Sequence, residues 1–161
     1  MSLVRVVSYN IHKGRSLAGR DSMGALRLGL HGLRPDLLFL QEVQGRNDKN
    51  ARLTAQHESL AAALHMEFAY GCNAIRSTTD HGNALLSRHP ILNFENQDIS
   101  DHKLEQRGLL HGVIDVGGRE VHCFVVHLGL FAGGRTRQIE VMAERIKRMV
   151  PEHNTQETAK V

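Results

Sequence analysis

Leu37-Leu38-Phe39-Leu40-Gln41-Glu42-Val43 is the stretch on which the fold turns. Its four consecutive apolar residues put Leu37 and Phe39 on one face of an extended chain and Leu38 and Leu40 on the other. The run therefore reads as a strand buried on both faces. It ends at the polar pair Gln41-Glu42, and Arg34-Pro35-Asp36 before it breaks any preceding helix. Upstream, Leu3 to Ser8 is a Val-rich strand running into Tyr9-Asn10, followed by a loop from His12 to Gly19. Asp21 or Ser22 caps a helix to about Gly32, with Leu26, Leu30 and Leu33 at helical spacing. Downstream, Arg52 to Leu64 is a second helix whose Leu53, Leu60, Ala61 and Leu64 face the sheet.

Short strands follow at Glu67 to Gly71, Asn83 to Ser87, Leu109 to Val116 and Val121 to Leu128, with a hairpin turn at Gly117-Gly118. A third helix, Arg135 to Val150, carries Ile139, Met142, Ile146 and Met149 on one face and is stopped by Pro151. Residues 1–150 are thus expected to form one domain, and residues 151–161 a polar, frayed tail. The order β-α-β-α, then antiparallel strands and a helix, predicts an α+β layer. Asn10, Glu42 and His127 all fall at strand C-terminal ends, so the sheet gathers them at one edge.

Composition narrows the function classes. The chain has 161 residues, 41% hydrophobic and 23% charged, enough for one sizeable core. Only 4% are aromatic and none is Trp, which argues against a stacking platform for single-stranded nucleic acid. The net charge of +3 suits a phosphate-bearing substrate without requiring nucleic acid. Cys72 and Cys123 lie far apart, with no secreted disulfide framework. The N-terminus lacks a signal-peptide pattern, and no apolar run is long enough to span a bilayer. A soluble, cytoplasmic protein is expected. The 11 histidines include no His-Glu-x-x-His and there is no Cys-x-x-Cys, while His122 and Cys123 point to opposite strand faces, so zinc is not indicated.

Five motifs carry the chemistry: Tyr9-Asn10-Ile11-His12, Leu40-Gln41-Glu42-Val43, the stretch from His81-Gly82-Asn83 to Ile91, Gln106-Arg107-Gly108, and Val126-His127-Leu128-Gly129-Leu130. In this order and spacing, from about Val4 to Met149, the chain resembles the endonuclease/exonuclease/phosphatase family, which includes DNase I-like nucleases, sphingomyelinases and inositol-phosphate phosphatases. The resemblance implies the first half of a four-layer α/β/β/α sandwich, with a mixed, mostly antiparallel sheet and helices on one face. It implies a hydrolase dependent on Mg²⁺ or Mn²⁺, acting on a phosphodiester in nucleic acid, a phospholipid head group or a small molecule. The metal would fall to the Glu42 carboxylate and the Asn10 amide oxygen, a sparse oxygen set of the kind a hard cation accepts. Arg107 and His127 would contact the phosphate, His127 and Asn83 would serve catalysis, and His81 would flank them.

The resemblance also implies a longer domain, with a later strand ending Gly-Asp-Phe-Asn and a terminal Ser-Asp-His. Neither follows Val150, and Ser100-Asp101-His102 comes too early in the order to be that terminal motif. This chain alone is expected to be inactive. The alternative is a non-catalytic phosphate- or nucleic-acid-binding fragment. With the second sheet expected from the absent half, one face of the strand at Leu37 to Leu40 should stay uncovered and drive self-association.

Overall fold

The computed structural model of the protein describes residues 3–149. Strand β1 (Val6–Asn10) runs parallel to β2 (Leu37–Asn47), joined by helix α1 (Met23–Leu33). Helix α2 (Gln56–Leu64) then leads into β3 (Glu67–Ile75) and β4 (Thr79–Ser87), an antiparallel pair whose second strand docks beside β2. The first sheet therefore has the order β1-β2-β4-β3. A second, antiparallel sheet follows with the order β5-β6-β7, from β5 (Ile91–Asp98), β6 (Gly108–Asp115) and β7 (Glu120–Val126). Helix α3 (Ala132–Met149) completes the described chain.

The alternation of the apolar run at 37–40 sorts into two cores. Leu38 and Leu40 face α1 and α2, packing with Met23, Leu30, Leu53, Leu60 and Leu64. Leu37 points the other way and packs with Leu85, Leu110, Ile114, Cys123 and Val125 between the two sheets. Gly112 on β6 lies against Leu85, where an added Cβ would come within 2.4 Å of the leucine Cδ2. Arg145 of α3 bonds Glu95, Gln97 and His111, on the outward face of the second sheet. The layers are α1 and α2, first sheet, second sheet, α3.

This arrangement corrects one expectation. The chain's own second sheet covers the inner face of β2, β3 and β4, and the helices lie on both outer sides. Most of the face expected to stay uncovered and drive self-association is thus covered, while Val6, beside Leu37 on β1, stays half exposed on it. The difference comes from β5: no strand was expected between Ser87 and Leu109, whereas Ile91 to Asp98 pairs with β6. In the β6–β7 ladder Leu110 lies opposite Val125, so both face the first sheet while Leu109 and Val113 point outward. The second helix starts at Gln56 rather than Arg52, since Ala55 adopts a left-handed conformation (φ 50°) and Asn50 instead caps a short 3-10 turn. The tail at 151–161 lies outside the described residues.

Candidate active site

At the C-terminal end of β1, Asn10 faces Glu42 across the parallel β1–β2 pair. Glu42 sits in a bulge: the register between β2 and β4 shifts between Leu40 and Val43, and Glu42 takes φ +53°. A bulge re-aims the side chain it carries. Here it turns the carboxylate toward Asn10, whose Nδ2 donates to Oε1 at 3.0 Å. The Asn10 Oδ1 accepts from the His12 backbone N–H at 3.0 Å. His12 Nδ1 lies 3.8 Å from one Glu42 oxygen and His127 Nδ1 lies 3.9 Å from the other. Burial acts to raise the Glu42 carboxyl, but the Asn10 bond and the charges of Lys13, His127 and His12 outweigh it and hold the group below the usual carboxylate range. Glu42 is an ionised carboxylate at neutral pH.

Two of the histidines beside it, His81 and His127, are held below their ordinary values. Burial, then the Lys13 charge, push His81 down to about 4 against the pull of Glu42, with Arg107 and Arg76 adding to the depression. Burial, then Arg107, lower His127, opposed by Glu42 and Glu105. Glu42, His81, Asn83, Arg107 and His127 line one narrow cleft, with Asn73 and Gln106 completing it. A larger open groove between β1 and α1 reaches Asn10 and His12 at its rim.

The structure thus brings together every residue singled out from the sequence, with particular geometries. Asn83 is buried and its Nδ2 donates to Gly108 O at 3.0 Å and Val125 O at 3.3 Å. It ties the first sheet to the second beside Arg107 and His127. The Arg107 guanidinium is partly engaged: Nη2 donates to Glu105 at 2.9 Å and Nε to Leu128 O at 3.3 Å. Ser100-Asp101-His102 is a structural loop. Asp101 forms a two-pronged pair with Arg137 of α3 at 2.5 and 2.7 Å, and the Ser100 hydroxyl accepts from the Arg107 N–H.

For a divalent cation the donor set is sparse. Among the described residues, no group of three or more His, Cys, Asp or Glu side chains is placed to hold a metal. One ionised carboxylate with an adjacent amide fits a hard cation that keeps most of its waters and shares its shell with a substrate phosphate. The Asn10 amide now turns its NH₂ to Glu42, so it would have to rotate to offer its oxygen. Lys13 is the residue that reading from the sequence missed. Its place two residues beyond the Tyr9-Asn10-Ile11 strand end, followed by Gly14, is the signal that could have found it.

The family model for the Endonuclease/Exonuclease/phosphatase family matches residues 7–155. The chain belongs to that family. Among its relatives, YbhP of Escherichia coli K12 is 36% identical over 154 residues, covering 90% of this chain and 61% of that protein. YbhP of Shigella flexneri matches at the same level. This family member thus spans about 61% of the length of the curated relatives it matches. Among solved structures, an endonuclease/exonuclease/phosphatase family protein from Leptotrichia buccalis superposes with a TM-score of 0.73 at 15% identity, covering 89% of this chain and 63% of that one. TDP2 of D. rerio, solved with a single-strand DNA product, gives 0.68 at 21% identity, covering 91% of this chain and 56% of that one. Those likenesses show the fold: an α+β, DNase I-like architecture.

Proposed function

We propose that the residues gathered here form the metal- and phosphate-binding side of a phosphodiesterase- or nuclease-type hydrolase dependent on Mg²⁺ or Mn²⁺. The observation that carries this is the ionised Glu42 carboxylate, aimed by a left-handed bulge at Asn10 and set among Lys13, Arg107, His81 and His127. An isolated acid at a strand end would not need such strain, and strained backbone concentrates where function requires it. Family membership supports the hydrolase class. The TDP2 neighbour with its DNA product supports a phosphodiester substrate of nucleic-acid type.

In this reading Glu42 and Asn10 hold the cation, which supplies charge stabilisation at the phosphoryl oxygens when bound. Arg107 and Lys13 supply fixed positive charge beside the phosphate. His127, neutral because it is buried near Arg107, presents a ring nitrogen able to donate a hydrogen bond to a phosphate oxygen. Asn83 keeps Arg107 and His127 in register with the first sheet. The test is release of p-nitrophenolate from bis(p-nitrophenyl) phosphate and cleavage of single-stranded DNA, each with Mg²⁺ and with EDTA. The assays compare this chain with an extended form, a chimera completed by the part of YbhP that lies beyond the match. The extended form should cleave in Mg²⁺ alone, with His127→Ala lowering kcat by about 10²-fold or more. Cleavage that persists in EDTA, or a His127→Ala enzyme of unchanged kcat, would refute the reading.

A further inference from the structure

Three non-glycine residues at the site hold the left-handed conformation: His12 (φ 48°), Lys13 (φ 57°) and Glu42 (φ 53°). Each costs energy that the surroundings must offset. One side chain spans both strained segments. Gln56, the first residue of α2, is fully buried. Its Nε2 donates to Lys13 O at 2.8 Å, and its Oε1 accepts from the Gln44 backbone N–H at 2.9 Å, two residues beyond Glu42. The approach leaves no slack. A Cβ on Gly14, itself left-handed, would fall 2.5 Å from Gln56 Nε2 and 2.8 Å from Met23 Sδ. Just before Gln56, Ala55 is left-handed too, and its N–H is bonded to Gly45 O at 2.7 Å. The start of α2 is thereby fixed to the bulged strand on one side and to the His12–Gly14 turn on the other.

We infer that Gln56 is a positioning residue for the Glu42 site, the amide that locks the His12–Gly14 turn against the β2 bulge so that Asn10 and Glu42 meet. The inference rests on Glu42 as the cation's ligand. Gln56 does not line the cleft, and it reaches Lys13 only through that residue's backbone carbonyl. Its two bonds set where the Lys13 and Glu42 backbones lie, and both bonds are lost if the amide is replaced by an apolar side chain of similar length.

The test follows the amide signals of Asn10 and Glu42 by NMR as Mg²⁺ is added to this chain, alongside thermal melting of each variant. Gln56→Met removes both bonds, Gln56→Glu keeps the bond from Gln44, and Leu60→Val is a destabilised control in the same helix. Partners outside the direct ligand set typically change metal affinity about 10- to 100-fold, so Gln56→Met should raise the Mg²⁺ midpoint at least about tenfold, with Leu60→Val within about twofold. Gln56→Glu should fall between them, and it carries the comparison if Gln56→Met fails to fold. A Gln56 variant whose midpoint moves no more than that of Leu60→Val overturns the positioning role. If the wild-type response is abolished by Glu42→Gln in that same experiment, the cation reading survives its loss. A wild-type response that is absent, or that ignores Glu42→Gln, overturns both.

Discussion

Asn83→Asp is a one-atom change with a large expected penalty. The wild-type amide is buried and gives both its N–H bonds to carbonyls of the other sheet, Gly108 O and Val125 O. Asn83→Ala deletes two hydrogen bonds, each worth about 0.5–1.5 kcal/mol net, and leaves acceptors facing a void, so about 2–4 kcal/mol is expected. Asn83→Asp keeps the shape but replaces the donor with a carboxylate oxygen pointed at two carbonyl oxygens. Facing acceptors and buried, the introduced carboxyl has its folded pKa raised above the unfolded value of about 3.9. Its penalty is therefore small below pH ~4 and grows as pH rises through the folded value. Urea midpoints at pH 7 and pH 4 read the effect. At pH 7 the order should be wild type, then Asn83→Ala, then Asn83→Asp, and acid should close the gap between Asn83→Asp and wild type. An Asn83→Asp protein as stable as wild type at pH 7 would show that the amide does not aim its NH₂ at the second sheet.

The opposed pair Leu85 and Gly112 should couple: Leu85→Ala should cost about 2–5 kcal/mol, Gly112→Ala should cost about 1–3, and the double variant less than their sum, whereas strict additivity in denaturation would deny the sheet-on-sheet contact. His81 and His127 are held below their ordinary values. The unfolded state therefore binds more protons as pH drops below about 6.5, and stability should fall from there toward pH 4. His81→Gln should flatten that slope in an acid titration of the melt, and an unchanged slope would remove His81 from the explanation. His102→Ala should leave hydrolysis by the extended form nearly unchanged, since Asp101 and not His102 carries the tie to α3; a large loss of kcat would reverse that assignment.

Much of the first sheet was legible because its signals are local. The doubled apolar faces of Leu37 to Leu40 and the helical spacing of Leu26, Leu30 and Leu33 each reflect burial that the sequence records directly. Strand β5 was not legible. Glu95 and Gln97 face Arg145 of α3, while Asn96 turns inward to Cys72 O and Asn73. A register shift between Ile91 and Asn93 further breaks the alternation. With polar residues on both faces, nothing in Ile91 to Asp98 announces a strand, so the hairpin of β6 and β7 was read without the partner that makes it a second sheet. The grouping of Asn10, Glu42, Arg107 and His127 was readable, because strand ends and motif order place those polar groups near one another. Gln56 could not be read, since its partner Lys13 is 43 positions away and only the folded turn brings them together.

The most direct test of the proposed chemistry is the Mg²⁺-dependent rate of phosphodiester hydrolysis by the extended form with Glu42 intact and as Glu42→Gln. The substitution keeps size and hydrogen-bonding capacity but removes the charge that would hold the cation. A loss in kcat of about 10²-fold or more, with an unchanged melting temperature, is predicted. A Glu42→Gln enzyme that turns over at the wild-type rate in Mg²⁺ would contradict it.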